Sequence, residues 1–485
     1  MGSSALPKTG LMTLLSSFER YLKARYLGIG FVWAWIYCSY DTSAIYSGRE
    51  GVGINADPSW LASATTVVIV LIAGGIVLRN RDLTRLAWMP MVAPLSVAIG
   101  TLLSGLAPLT SLPPEPLALI SGIMTGSGSG MLYLLWGQTL SRLDIEQIEV
   151  VIPASSFVTL LCSLVFPYIG GLLGLVAVAT LPLISGFLLL VCLRDKRPAR
   201  TLPSAPEALD KPATAAVLRI SLVLAASYFI IGCLGALSEP RDQLQVISGF
   251  DASTFIGSGF GLVLAIAFIL FSSRIDFSSL FRWLCPLLVL AIALFPWHDV
   301  IPDFISSTIL SIGDTSLQVI TCIYVIVLAK RRLIPAILGI GLSQGFVQLG
   351  VLAGNLFGVR LAEPTMLDSP GMTALMLALI CLLCFSTLLI PTRETLRAMP
   401  APRPTADTDD HKSYRDHVCA LLSQRHGLST RESEVLAYLA KGRSQPYIRE
   451  ELLLSKNTIA THVKHIYQKL GVHSRQELLD LFETS

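Results

Sequence analysis

Between positions 26 and 391 the chain is a series of long apolar runs separated by short polar turns. Each run is close to the ~20 residues that a helix needs to cross the hydrocarbon core of a bilayer. The pattern predicts twelve membrane helices, at 27–45, 60–78, 86–106, 117–139, 150–169, 172–193, 216–237, 254–271, 280–295, 304–328, 334–357 and 372–390. A polar, basic, Pro-rich segment, 194–213, divides them six and six and reads as a linker between halves at 1–193 and 214–391. The runs are rich in Gly and Ser, as at Gly122, Gly126, Gly128 and Gly130. Small residues let membrane helices approach closely, so packing is the simplest reading of them.

Beyond 391 the pattern changes. Residues 391–408 are rich in Pro, Ala and Asp, the composition of a flexible tether, which is expected over 392–427. A short helix can form at 417–422, and a compact module is expected over 428–485. Ser429-Thr-Arg-Glu432 has the spacing of a capping box, and Val435, Leu436 and Leu439 continue a helical apolar stripe. Gly442 supplies a left-handed stop. Ser444 caps a second helix carrying Ile448 and Leu452, and a tight turn at 453–454 leads to Ser455, the cap of a third. There Ile459, Val463, Ile466 and Leu470 follow 4-3-4 steps and share a buried face, while Asn457, Thr461, Lys464 and Gln468 share another. Gly471 ends this helix; Ser474 and Glu477 cap a fourth, with Leu478, Leu479 and Phe482 on its apolar side. The expected fold class is all-α: a polytopic twelve-helix membrane bundle followed by a four-helix module. Two short helices joined by a tight turn, the second polar and basic outside, form a helix-turn-helix.

Composition and charge sharpen this picture. The chain is 53% hydrophobic and 14% charged, where a soluble domain has about 25% charged residues. With the N-terminus in the cytoplasm, the inside segments before the tail hold eighteen Lys and Arg, and the outside loops only Arg49, Arg241 and Arg360. This bias obeys the positive-inside rule. An even span count returns the C-terminus to the cytoplasm. DNA is reachable there only without a nuclear envelope, so the expected location is the inner membrane of a bacterial or archaeal cell, bacterial by preference. The first 25 residues have no apolar core ahead of a small-residue cleavage site, and no secretory signal is expected. Residues 411–485 hold eleven Lys and Arg against eight Asp and Glu, a net +3, and the rest of the chain nets zero. An excess this modest gives weak, salt-sensitive phosphate attraction, so specificity must come from side chains in the major groove.

The nine cysteines have no spacing that implies a disulfide framework or a zinc site, and Cys381 and Cys384 read as two small residues on one helix face. No metal or cofactor is expected. Six of the seven histidines lie beyond 410. His462 and His465 flank the polar face of the third helix, where phosphate or packing contacts are preferred over a pH sensor. With no phosphate-binding Gly loop, nucleophile elbow or receiver-type domain, no enzyme is expected.

Twelve spans in two sixes around a central cytoplasmic loop resemble the major facilitator superfamily. That family usually carries a Gly-x-x-x-Asp-Arg-x-Gly-Arg-type motif between its second and third spans. Here the loop reads Gly75-Ile-Val-Leu-Arg79-Asn-Arg81-Asp82-Leu-Thr-Arg85, with the basic residues but without the early Asp and the later Gly. A fainter echo, Ser273-Arg274-Ile-Asp276, follows the eighth span. These departures bear on active transport, not on the fold. The C-terminal module resembles the LuxR-type helix-turn-helix family. The carrying residues are Leu428-Ser-Thr-Arg-Glu432-Ser-Glu-Val-Leu436, Gly442, Ile448, Leu452, Ser455-Lys-Asn-Thr458-Ile459, His462-Val463, Ile466-Tyr467, Lys469-Leu470-Gly471-Val472 and Ser474-Arg475. Tyr447 and Arg449 replace an acidic residue and an Ala, and Ala460 stands where Lys is frequent. The resemblance implies that the outward face of the third helix, at Ala460, Thr461 and Lys464, reads bases. It implies phosphate contacts from Lys456, Thr458 and Arg475, with Asn457 and His465 on the same surface, and a dimer formed through the fourth helix. A small protein-binding helical bundle is the alternative for these residues.

Ionisable and amide groups inside membrane spans are costly and mark functional sites. Asp314 and Gln318 lie in the tenth run, and Gln344 and Gln348 in the eleventh. They are the candidate lining of a ligand cavity, although Asp314 is open to a packing or pairing role near a helix end. The sequence therefore points to a membrane-bound one-component transcription regulator. In this reading it binds double-stranded DNA as a homodimer, sits in membrane lipid and senses an unidentified small molecule. The alternative is a facilitator-type small-molecule transporter with an added regulatory DNA-binding domain.

Overall fold

The computed structural model describes residues 23–40, 42, 57–86, 88–106, 113–194, 211–237, 252–271, 277–297, 303–331, 333–362, 369–389, 418–440, 448, 452, 456–472 and 477–478. The chain divides into two compact units, Met1–Ala401 and Pro402–Ser485. All regular elements among the described residues are helices.

The first unit contains α1 (Gly28–Tyr40), α2 (Pro58–Val77), α3 (Met89–Leu106), α4 (Pro114–Leu140), α5 (Ile145–Ala154), α6 (Ser156–Val165) and α7 (Gly171–Arg194). These are followed by α8 (Lys211–Leu237), α9 (Ala252–Phe271), α10 (Phe277–Leu294), α11 (Asp303–Lys330), α12 (Ala336–Leu361) and α13 (Ser369–Thr387). A helix lies on every expected apolar run. Among the described residues, nine are long and apolar enough to cross a membrane, the fourth of them, Gln147–Tyr168, combining α5 and α6. Shorter helices cover the other three runs: Ala252–Phe268, Trp283–Trp297 and the 13-residue α1. Prolines account for part of the irregularity. Pro286 lies inside α10, and Pro153 precedes the break at Ser155 that separates α5 from α6.

Burial is arranged for a lipid solvent. Val77, Leu173, Trp283 and Leu388 are each more than 70% exposed. In water such surfaces would be sticky patches; against lipid tails they are at home, while the backbone polar groups are satisfied inside each helix. The interior is where small residues concentrate. A Cβ at Gly341 would lie 2.5 Å from the Leu71 carbonyl oxygen and 2.6 Å from Gly75 Cα, so α2 and α12 touch backbone to backbone. Gly126 and Gly128 likewise press α4 onto the Ser63 carbonyl of α2 and the Ala93 carbonyl of α3. The small-residue run therefore does serve close packing. Helices from the two sides of the 195–210 segment interlock: α2 packs on α12, and α9 packs on α5 and α6.

The turn between α2 and α3 is pinned to α4 by charge-assisted bonds. Asp82 accepts from the Thr84 backbone N–H at 3.1 Å and pairs with Arg85 at 3.0 Å and with Arg142 at 3.5 Å. Gln138 accepts from the Leu83 backbone N–H at 3.0 Å and donates to the Arg81 carbonyl at 2.8 Å. At the end of α11, Lys330 donates to the Leu143 carbonyl and stands 3.7 Å from the Asp144 carboxylate, joining α11 to the turn before α5.

The second unit contains a helix over 418–425, α14 (Thr430–Ala440), α15 (Lys456–Leu470), and helical residues at 448 and 477–478. Its core gathers Val435, Leu436, Ile448, Ile459, Val463, Ile466 and Leu478. Val418, Cys419 and Leu422 join the same core. Residues 418–425, expected to lie within the tether, thus pack as part of the module. The glycines after the 418–425 helix and after α15 are left-handed, with φ +59° at Gly427 and +69° at Gly471, whereas the other expected stop, Gly442, lies outside the described residues. After α15 the Val472 N–H bonds the Tyr467 carbonyl at 3.0 Å and the Gly471 N–H bonds the Gln468 carbonyl at 3.4 Å. These are the paired bonds of a Schellman stop, with Val472 buried beneath it.

Candidate nucleic-acid interface and membrane site

α15 presents two sharply different faces. Ile459, Val463, Ile466 and Leu470 are buried, and Thr458, Ala460, Thr461, Lys464 and His465 are exposed. A 15-residue helix is about 22 Å long, and the major groove is wide enough to admit one. The exposed face carries a hydroxyl at Thr461, a methyl at Ala460 and an ammonium at Lys464, groups that suit base edges. Lys456 and Asn457 occupy the first turn of α15; their side chains, like Arg475, Gly442, Ser444, Ser455 and Ser474, lie outside the described residues. The second and fourth helices of the motif are represented by Ile448 and Leu478, both fully buried in the module core.

The geometry behind this face is set by Glu432. The capping box forms as expected: the Ser429 N–H donates to Glu432 Oε2 at 2.7 Å, and the Glu432 N–H donates to Ser429 Oγ at 3.3 Å. The same buried carboxylate accepts from Lys469 Nζ at 2.8 Å, and His465 Nδ1 lies 3.7 Å away. Lys469 also donates to the Gly427 carbonyl at 3.0 Å. The Lys469 bond, followed by the Ser429 bonds, pulls the Glu432 carboxyl down from 4.5 to about 2. Lys469 is therefore turned back into the module, where it fixes α15 against α14. The S-x-x-E spacing located Glu432 but gave no sign of this second partner. His465, expected on the DNA side, is shared between that surface and Glu432.

In the membrane unit, Gln318 on α11 donates to Gln344 on α12 at 3.1 Å, and Gln344 donates to Cys322 Sγ at 3.5 Å. Gln344 is buried and borders a cavity of ≈10 Å³, together with Tyr133, Cys322, Ile29, Ile152 and Ile340. The structure thus brings together two of the four expected residues. Asp314 lies one turn from Gln318 on α11 and is half-buried, with its carbonyl 3.4 Å from the Tyr228 hydroxyl. Gln348 is half-buried on α12 and does not border the cavity. A space of this size holds about one water, far below the several hundred Å³ of a typical small-molecule site. A larger ligand enters only if these helices separate. Tyr133 and Cys322, which sequence reasoning passed over, both line the space; each sits in an unremarkable apolar run.

Comparison with known proteins assigns the two units separately. Residues 426–482 match the GerE family, bacterial regulatory proteins of the luxR family. Over 53 residues, 11% of this chain, it is 55% identical to the Fimbriae Z protein of Salmonella typhimurium. Over 48 residues, 10% of the chain, it is 50% identical to the probable transcriptional regulatory protein NarL of Mycobacterium tuberculosis. The match spans only about a quarter of the length of these relatives, 25% and 22%. The solved structure of a bacterial homologue of the iron transporter ferroportin in its outward-facing state has a similar fold. Its TM-score is 0.53 at 15% identity, with 78% of this chain and 97% of that chain covered. A second structure of such a homologue, with soaked iron, gives a TM-score of 0.53 at 14% identity, covering 76% and 98%. Identity this low carries the fold alone. The chain therefore joins a helical unit with nine candidate membrane spans among the described residues, similar in fold to a bacterial ferroportin homologue, to a C-terminal domain that matches the luxR-family regulators.

Proposed function

We propose that this protein is a membrane-bound one-component transcription regulator, a binding protein rather than an enzyme. The membrane unit senses a small molecule, and the LuxR-type domain over 428–485 binds promoter DNA as a homodimer through its fourth helix. The observation that carries this reading is the polar face of α15, exposed at Thr461 and Lys464, in a chain whose other unit is built for lipid. In this reading Ala460, Thr461 and Lys464 read bases. Lys456, Asn457, Thr458, His465 and Arg475 hold phosphates. Asp314, Gln318, Gln344 and Gln348 meet the ligand once the helices part.

We also propose twelve spans in two sixes, over 1–193 and 214–391 around the 194–213 linker, with a tether between the last span and the DNA-binding module, and both termini in the cytoplasm of a bacterial inner membrane. The packing pairs support the duplication. Number the spans in chain order, with α5 and α6 together as the fifth. The second packs on the eleventh (α2 on α12) and the eighth on the fifth (α9 on α5 and α6). Advancing each by six exchanges one pair for the other. The pairs α2–α4 and α9–α11, and α3–α7 and α10–α13, repeat in the same way. The eighteen-to-three charge bias supports the orientation.

The test uses the full chain in its own membrane. Cross-linking to chromosomal DNA, followed by sequencing, should recover discrete promoter sites that vanish when Lys464 and Thr461 are both changed to Ala. Reconstituted in vesicles, the protein should bind its ligand without accumulating it. Accumulation with no promoter sites would mean a transporter carrying an added domain.

A further inference from the structure

The turn between α2 and α3 closes one end of a groove on the outer surface of the membrane unit. α2 and α3 both pack on α4 and barely on each other. On α4, Gly122 and Gly126 meet Ser59 and Ser63 of α2, while Thr125 and Gly128 meet Gly100 and Ala93 of α3. A helix turns about 100° per residue, so Ile120, Ile123 and Ser127 occupy the arc between those two contacts. Ile120 and Ile123 are exposed and Ser127 is half-buried, so this arc is an open floor. Ile69 and Ile76 of α2 and Val92, Leu95 and Ile99 of α3, all exposed, continue the apolar surface on either side.

The groove ends at a basic turn. Arg79, Arg81 and Arg85 are exposed there against one carboxylate, Asp82, which is already engaged by Arg85 and Arg142. The side chains of Arg79 and Arg81 have no ion pair or hydrogen bond among the described residues. Their backbone is nevertheless fixed. The Arg81 N–H bonds the Leu78 carbonyl at 2.8 Å, and Gln138 of α4 holds the Arg81 carbonyl at 2.8 Å and the Leu83 N–H at 3.0 Å. Two guanidiniums therefore stand on a braced turn with no neutralising partner among the described residues. Trp88, 53% exposed, follows just before α3, and tryptophan is a residue type that sits at headgroup level. The exposed stripe of α3 runs from Trp88 to Ile99, a rise of about 16 Å. That is close to the half of a ~30 Å hydrocarbon core that one leaflet fills.

We propose that this groove and its basic end form a binding site for one anionic phospholipid. Arg79 and Arg81 take the phosphate, which suits the paired donors of a guanidinium. Trp88 packs beside the glycerol, and an acyl chain lies over Ile123 and Ser127 between α2 and α3. Charge selects the headgroup. A zwitterionic lipid brings its own cation beside the phosphate, whereas an anionic lipid leaves its charge to the arginines. With the orientation proposed above, the lipid comes from the cytoplasmic leaflet. The site rests on the membrane-spanning reading of this unit. It uses none of the residues assigned to DNA or to the α11–α12 cluster, so it stands whether or not the regulator reading does.

The experiment titrates the full chain, purified in mild detergent, with phosphatidylglycerol, phosphatidylethanolamine or phosphatidylcholine of the same acyl chains. Bound lipid is counted by native mass spectrometry. One phosphatidylglycerol should bind at lower concentration than either zwitterionic lipid. Arg79→Gln combined with Arg81→Gln should weaken that first phosphatidylglycerol by roughly ten- to thirtyfold and leave the zwitterionic lipids unchanged. Both residues are exposed, so the melting temperature should hold. Arg194→Gln combined with Arg219→Gln removes two other exposed arginines and should change nothing. Ser127→Trp fills the floor without altering charge and should weaken the same phosphatidylglycerol. Equal binding of the three lipids, or equal losses in the two double variants, overturns the proposal while leaving the membrane-spanning reading in place. Displacement by millimolar inorganic phosphate, or no effect of Ser127→Trp, overturns the lipid assignment.

Discussion

Lys464 and Lys469 lie five positions apart on one helix and carry the same charge, yet their surroundings give them opposite tasks. Lys469 is held by Glu432 and the Gly427 carbonyl, so its charge stabilises the module. Lys464 is exposed on the polar face of α15 that is proposed to meet DNA. Lys464→Ala should therefore leave the fold intact, weaken binding to the preferred promoter and reduce discrimination between sites by roughly 1–3 kcal/mol. Competition between cognate and random DNA at several salt concentrations checks it. Equal loss on all sequences would mark Lys464 as a phosphate contact. Glu432 makes a pH prediction. Its folded-state value, about 2, lies below the ordinary 4.5, so it contributes stability that is present above pH 4.5 and lost as pH falls from there toward 2. The C-terminal unit should melt at lower temperature over that window, and Glu432→Gln should flatten the dependence. The Gln variant should also cost roughly 1–3 kcal/mol at neutral pH, because Lys469 loses a charged acceptor.

At the scale of elements, the sequence was most legible where periodicity is strict. The 4-3-4 stripe and Gly471 stop of α15 and the Ser429 box of α14 are local rules, each acting within a few residues, and the two helices obey them. The edge of the module was less legible. Val418 and Leu422 looked like part of a polar tether, and only their contact with the distant α14 and α15 core makes them structural. The same limit applied in the membrane. Every apolar run holds a helix, but which polar residues face one another depends on how the helices rotate against each other, so Gln318 and Gln344 met across α11 and α12 while Gln348 fell beside the cavity. Two element-level substitutions follow. Gly471→Ala places a Cβ in a left-handed residue and should destabilise the C-terminal unit by about 1 kcal/mol, a fall of several degrees in its melting temperature. Gly341→Val would drive a side chain into the Leu71 carbonyl. It should lower the melting temperature of the membrane unit, by roughly 1–3 kcal/mol of overpacking, without touching DNA binding by the C-terminal unit.

For the whole molecule, the regulator reading requires the second unit on the cytoplasmic side of the membrane, and one physical bias favours that side. Moving a segment with several Lys or Arg across a bilayer is strongly disfavoured. The segments assigned inside hold eighteen of these residues, and the outside loops hold only Arg49, Arg241 and Arg360. The end of α11 carries Lys330 and Arg331, and the α2–α3 turn carries Arg79, Arg81 and Arg85. Lys330 bonds the Leu143 carbonyl and Arg142 pairs with Asp82, so these charges form one polar layer at one end of the bundle. Both that layer and the 194–213 linker should face the cytoplasm, as must the DNA-binding unit if it is to reach a chromosome. Single cysteines introduced into a chain with its nine native cysteines replaced make this measurable. Ser47→Cys should react with an impermeant thiol reagent applied to intact cells. Ser204→Cys should react only after the membrane is opened. The reverse pattern would place the C-terminal unit outside the cell, away from DNA, and the regulator reading would fall with it.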